Sequence, residues 1–220
     1  MDPRASLIKQ PWAWALVAFL VAGVATMALW TRQMSRYTPT ANAERPRDAL
    51  ESFGQVPAFS LTERSGRKVQ VSDLVGSVWI ADFIYTNCTD TCPLQSAEMK
   101  RFQDRFADRP DLKLVSITVD PKRDTPAVLR RYADKFGAHA TQWVFLTGPQ
   151  EAIYRLAEEG FHLPASEVAP PKRGEAPHIH SPRFAVVDRD SEIRGYYVAT
   201  DKEALERLGR DVEVLLRRAG

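Results

Sequence analysis

Sulfur is scarce in this chain: two cysteines and four methionines stand among 220 residues. Two cysteines are too few for a disulfide-framework protein. They also fail to make a zinc finger, because no Cys-x-x-Cys is paired with a His-x-x-x-His. No block of like charge is present, and the formal net charge is only +2, which gives no electrostatic footprint for nucleic acid. No internal repeat marks a solenoid or propeller. With 44% hydrophobic and 26% charged residues, the composition is that of a folded domain rather than a disordered tail.

Long apolar runs are also rare, and one stands apart. Residues 12–30 carry no charge and begin and end with tryptophan. As a helix this run is about 28 Å long, close to the roughly 30 Å of a bilayer core. Tryptophans at both ends suit an aromatic belt. The run ends in Leu29-Trp30-Thr31-Arg32 with no small-x-small cleavage site, and no cysteine lies near it for lipid attachment. It reads as an uncleaved transmembrane anchor rather than a signal peptide. The expected layout is an N-terminal cytoplasmic segment over residues 1–11, the anchor at 12–30, a polar linker at 31–52 with Pro39 and Pro46, and one domain at 53–220 outside the cytoplasm.

Both cysteines fall in Tyr85-Thr86-Asn87-Cys88-Thr89-Asp90-Thr91-Cys92-Pro93. The apolar run 78–85 leads in as a strand buried on both faces. A helical pattern from Pro93 to about Phe106 leads out, with Pro93 suited to the first helical position. A helix N-terminus favours an anion, so the thiols are expected to ionise more easily than a free cysteine. A thiolate there attacks a disulfide or holds a soft metal. The competing readings are a structural disulfide, whose three-residue loop restricts the unfolded chain little, and two buried inert thiols, against which the polar turn before a helix counts. Asp82 interrupts the apolar run and reads as a hydrogen-bonded or edge-facing carboxylate. Met99 reads as core rather than as a ligand.

The remaining elements are a hairpin from residues 57–61 and 69–71, and strands at 112–119 and 143–147. A helix capped by Thr125-Pro126 runs to about Phe136, and another runs from Gly148-Pro149 to about Glu159. A long Pro-rich stretch, residues 163–182, contains His178-Ile179-His180-Ser181. A second hairpin (184–188 and 193–198) and a last helix (201–218) close the chain. Strands alternating with helices imply an α/β domain with a largely parallel sheet and an antiparallel pair near the end. With a cysteine pair at a helix N-terminus, this is similar to the thioredoxin fold.

Three segments carry a resemblance to one family. Tyr85-Thr-x-Cys88-x-x-x-Cys92-Pro93 resembles the metal motif of the SCO/SenC copper proteins. Val119-Asp120-Pro121-x-Arg123-Asp124-Thr125-Pro126 is similar to their second signature, and His180-Ser181 to their distant histidine. Pro57-x-Phe59-x-Leu61 and Gly76-x-Val78-Trp79 fit the approach to the cysteines, so the resemblance covers about 54–220. It implies a membrane-anchored domain in the periplasm or the mitochondrial intermembrane space. There the domain would bind one copper, as Cu(I) or Cu(II), through Cys88, Cys92 and His180. It would assist assembly of the dinuclear copper centre on the copper-bearing subunit of cytochrome c oxidase, alongside other copper chaperones or thiol reductants. Donor chemistry agrees, since thiolates select Cu(I) and imidazole suits either oxidation state. The chain departs from the family pattern, which often has an acidic residue shortly before its histidine, in having His178-Ile179-His180. Residues two apart in an extended segment point the same way, so His178 reads either as an alternative ligand or as solvated in the loop, with His180 preferred for its adjacency to Ser181 and the strand. His139 and His162 match nothing and read as surface or satisfied residues. Two other functions compete: a thiol–disulfide oxidoreductase cycling a Cys88–Cys92 disulfide, against which the three-residue spacer counts, and a peroxidase or redox sensor.

Overall fold

The computed structural model describes residues 19–24, 26–28, 30, 50–89, 91–163 and 182–217. The chain divides into two compact units, Met1–Ala49 and Leu50–Gly220. In the first, the described residues between 19 and 30 are helical and exposed. Among the described residues no helix is long and apolar enough to cross a membrane, and most of the expected 12–30 span lies outside them.

The second unit is built on one seven-stranded sheet. Its strands are β1 (Ser60–Glu63), β2 (Lys68–Gln70), β3 (Val78–Ile84), β4 (Leu112–Thr118), β5 (Trp143–Thr147), β6 (Arg183–Val187) and β7 (Ile193–Val198). The spatial order is β2-β1-β5-β4-β3-β6-β7. Strands β3, β4 and β5 run parallel, while β1–β2, β1–β5, β3–β6 and β6–β7 pair antiparallel. The helices are α1 (Thr91–Arg105), α2 (Pro126–Lys135), α3 (Gln150–Arg155) and α4 (Lys202–Arg217).

Strand β3 is the axis of the core, and all seven of its residues are buried. Successive side chains point to opposite faces. Val78, Ile80 and Ile84 join a cluster with Met99 and Phe102 of α1, Leu129 and Tyr132 of α2, and Leu208, Val212 and Leu215 of α4. Trp79, Ala81 and Phe83 join a second cluster with Ile153 of α3, Leu156 and Phe161. Helices on both faces explain why β3 reads as a continuous apolar run. Met99 is fully buried in the first cluster, as expected.

Some boundaries differ from the sequence reading. The first strand lies three residues later, with Glu63 inside it. The Glu63 carboxylate accepts from the Ser65 N–H at 2.7 Å and so braces the following turn from within the strand. The third helix is short, because the chain widens into a π-turn over Leu156–Gly160. The cap at Thr125 is as expected: its side chain accepts from Val128 N, with Pro126 at the first helical position. Asp82 is corrected. It is not at an edge but lies in an interior strand with no exposure; Ser116 is the side chain that favours its charged form, although neither carboxylate oxygen has a partner at ordinary hydrogen-bond distance among the described residues.

Candidate metal centre

The cysteines occupy the connection from β3 to α1, at the end of the sheet where the parallel strands finish. A turn forms first, with the Cys88 N–H donating to the Tyr85 carbonyl at 3.2 Å. Helix α1 then begins at Thr91 rather than at Pro93, so Cys92 is its second residue. A proline at the third position costs nothing, since the first helical N–H groups have no intrahelical acceptor. One of those orphan donors finds a sulfur: the Cys92 N–H points at Cys88 Sγ at 3.4 Å. The pair is therefore asymmetric, with one thiol on the loop and the other inside the helix. Both are unbridged and buried, at 7% and 4% exposure.

Burial reverses part of the sequence expectation. Desolvation pushes the Cys92 thiol well above its ordinary range; a hydrogen bond with the Tyr85 backbone opposes this, and Cys88 and Asp82 add to it. Removing a thiolate from water outweighs the helix terminus here. Beneath the cysteines lies a polar layer. The Tyr132 hydroxyl shares a hydrogen bond with Ser96 at 2.9 Å and donates to the Cys92 carbonyl at 3.5 Å. The Trp143 indole N–H donates to Ser116 Oγ at 2.9 Å, and Ser116 pairs in register with Asp82. Burial raises Asp82 to about 7, offset in part by Ser116.

The second signature meets the first across the end of the sheet. The Asp124 carboxylate is fully buried and accepts from the Thr86 N–H at 3.0 Å, from the Thr86 hydroxyl and from the Thr118 hydroxyl. Thr118 Oγ1 in turn accepts from the Asp120 N–H at 3.0 Å. Arg123 pairs with Asp120 at 3.5 Å. The sequence reading assigned no chemistry to Thr86, Thr118, Asp124 or Tyr132. The clue was the 119–126 motif itself, which specified the residues but not their contact with Thr86.

Among the described residues, no three His, Cys, Asp or Glu side chains gather to hold a metal. His178 and His180 lie outside the described residues, while His139 and His162 are exposed. What the described part supplies is two soft donors on one strand–helix connection. The strand pairing adds a direction: Ala81 pairs with Ala185 and Trp79 with Val187, so the start of β6 lies at the end of β3 that feeds the cysteine loop. Two thiols at such a position fit a soft metal ion or a reversible disulfide.

Comparison with known proteins narrows this. The SCO1/SenC family model matches residues 47–215. The SCO1 protein homolog of Bacillus subtilis is 30% identical over 161 residues, covering 72% of this chain and 81% of that protein. The structure of BsSco, described as a member of the Sco family of cytochrome c oxidase assembly proteins with a disulfide switch, superimposes with a TM-score of 0.66 at 29% identity, over 77% of this chain and 99% of that one. Bradyrhizobium japonicum ScoI, solved with copper bound, gives 0.58 at 28% identity, over 71% and 99%. The same strand–helix frame thus recurs in proteins seen with copper and with a disulfide switch. With a cysteine pair on the β3–α1 connection, a thioredoxin-like sheet and a family match over most of its length, this chain belongs to the SCO1/SenC family.

Proposed function

We propose that this chain is a membrane-anchored copper metallochaperone. It binds one copper ion through the thiolates of Cys88 and Cys92 and the imidazole of His180, and it assists assembly of the dinuclear copper centre of cytochrome c oxidase. The observation that carries the reading is the pair of unbridged thiols on the β3–α1 connection, with the Cys92 N–H directed at Cys88 Sγ. Copper is cargo, and three ligands leave it an open side from which it can pass to the target. Support for His180 comes from the β3–β6 register: β6 begins at the end of β3 from which the cysteine loop departs, and His180 precedes Arg183, the first residue of β6, in the sequence. In this reading residues 12–30 anchor the chain in the inner membrane, 31–52 link, and the domain from 53 works in the periplasm or the mitochondrial intermembrane space.

A second reading, thiol–disulfide oxidoreductase, rests on the same asymmetry. A sulfur that already accepts an N–H is poised to form or leave a disulfide, and reduction of the pair precedes any soft-metal binding. One experiment separates the two. The reduced full chain in detergent is titrated with Cu(I) against a chelator, beside His180→Ala. One copper per chain, weakened about tenfold or more in the variant, supports the carrier. Equal affinity in the two proteins removes His180 from the ligand set. Absence of tight copper, with a dithiol that cycles freely, moves the function to the oxidoreductase.

A further inference from the structure

Two loops meet at the end of the sheet, and one carboxylate joins them. Asp124 is fully buried, and its hydrogen-bond partners among the described residues are one N–H and two hydroxyls. Oδ2 accepts from the Thr86 N–H and the Thr118 hydroxyl, while Oδ1 accepts from the Thr86 hydroxyl. Thr86 lies directly after Tyr85, whose carbonyl closes the turn onto the Cys88 N–H. Thr118 is the last residue of β4, a strand locked in parallel register against β3. Asp124 is itself fixed: its N–H donates to the Asp120 carbonyl at 2.9 Å, and the next residue caps α2. The first residues of the cysteine loop are thus tied to a residue 38 positions further along the chain.

We propose that Asp124 is a positioning residue for the cysteine pair: through Thr86 it holds the loop so that Cys88 Sγ stays near the helix N-terminus and the Cys92 thiol. The metal part of this inference rests on the copper reading above; the geometric part does not. A carboxylate suits the task because it accepts at every lone pair and never donates. Burying an ionised group is costly unless hydrogen bonds surround it, so such a tie is retained only where geometry matters. Asp124→Ala strands the Thr86 N–H, which has no other acceptor among the described residues. Asp124→Asn is gentler. Its amide oxygen can take the place of Oδ2, and its NH2 meets the Thr86 hydroxyl, which rotates to accept.

The test uses the full chain in detergent and two readouts. The first is metal-free: the equilibrium constant for exchange with oxidised dithiothreitol. In that exchange the dithiothreitol disulfide breaks, the Cys88–Cys92 bond forms, and the two thiol protons end on reduced dithiothreitol. This constant reports the effective concentration of one thiol at the other, which a loss of global stability alone does not change. The second is Cu(I) affinity by chelator competition. Asp124→Ala should move the first by about tenfold toward the dithiol and weaken the second by about 10–100-fold. Asp124→Asn should stay within about threefold of wild type. Asp211→Ala, which removes the 2.6 Å tie from the Tyr197 hydroxyl, serves as a control with lowered stability and an unchanged exchange constant. The inference is overturned if Asp124→Ala lies within about twofold of wild type in the exchange constant, or if the control shifts it equally. Should Asp124→Ala not fold, Thr86→Val decides: it keeps the backbone tie and loses the hydroxyl, so a shift of about threefold supports the role and no shift rejects it. A wild type without tight copper would defeat the copper reading only; the exchange constant would still judge the tie.

Discussion

A carboxylate in the middle of an apolar sheet has to keep its proton or carry an unscreened charge. Asp82 takes the first course, raised to about 7 from the usual carboxylate range by burial, with Ser116 the only side chain opposing it. An acid raised in the folded state binds its proton more tightly there than in the unfolded chain. Stability from this group is therefore full below about pH 4, falls as pH rises toward 7, and is level above. The shift corresponds to about 4 kcal/mol if fully expressed. Urea midpoints of the metal-free dithiol protein at pH 5 and pH 8 should differ more for wild type than for Asp82→Asn. Parallel pH profiles would remove Asp82 as the cause. At this scale the sequence made the cysteines legible, because both fall between a strand pattern and a helix pattern. It did not reveal that Asp82 is fully buried with Ser116 as its facing polar side chain, since strand alternation says which face a side chain takes but not what waits there. Nor did it reveal the Thr86–Asp124 tie, which joins residues remote in sequence.

Elements were legible where their signal was local. Trp143–Thr147 and Ile193–Val198 match the apolar and alternating runs that predicted them, and the Thr125-Pro126 cap does what those residue types do elsewhere. The misses lie where a tertiary contact overrides local preference. Helix α1 starts early because Cys88 Sγ receives a helical N–H. Helix α3 gives way to a π-turn where Gly160 packs on Pro57. A Cβ on Gly160 would lie 2.8 Å from Pro57 Cδ and 3.1 Å from Leu156 Cδ1, and a proline ring cannot move aside. Gly160→Ala should lower the urea midpoint by the equivalent of about 1–3 kcal/mol. Gly209 in α4 gives the contrast. Its added Cβ would meet only the tip of Arg105, a flexible side chain whose exposed pair with Glu213 contributes little. Helix propensity favours alanine by about 1 kcal/mol, so Gly209→Ala should be neutral or stabilising. Equal losses at the two sites would mean that the π-turn is not held by the Pro57 contact.

At the scale of the molecule, the domain's first residues belong to its far edge. The Phe53 and Val56 N–H groups donate to the Ile193 and Ser191 carbonyls, both at 2.9 Å, and Gln55 bridges to Glu192. The Phe53 ring stands edge-on to Tyr196 at 5.3 Å, and Val56 is buried. A chain starting at residue 50 keeps all of this. A chain starting at 57 loses a buried valine and three backbone hydrogen bonds, the third from the Ile193 N–H to the Gly54 carbonyl, about 4 kcal/mol together. Its denaturation midpoint should fall accordingly, whereas the chain from residue 50 should match the longer protein. An unchanged midpoint for the shorter form would move the domain's true start past residue 57. The strand order has a further consequence in time. The central strand β3 is flanked by β4, made soon after it, and by β6, made about a hundred residues later. As the polypeptide emerges vectorially, one edge of its most apolar strand stays open until nearly the whole domain has been synthesised. Chains that stop short of β6 should therefore be recognised by chaperones and proteases as unfinished through this open edge, whereas those lacking only α4 should be recognised through the sheet face that Leu208, Val212 and Leu215 would cover.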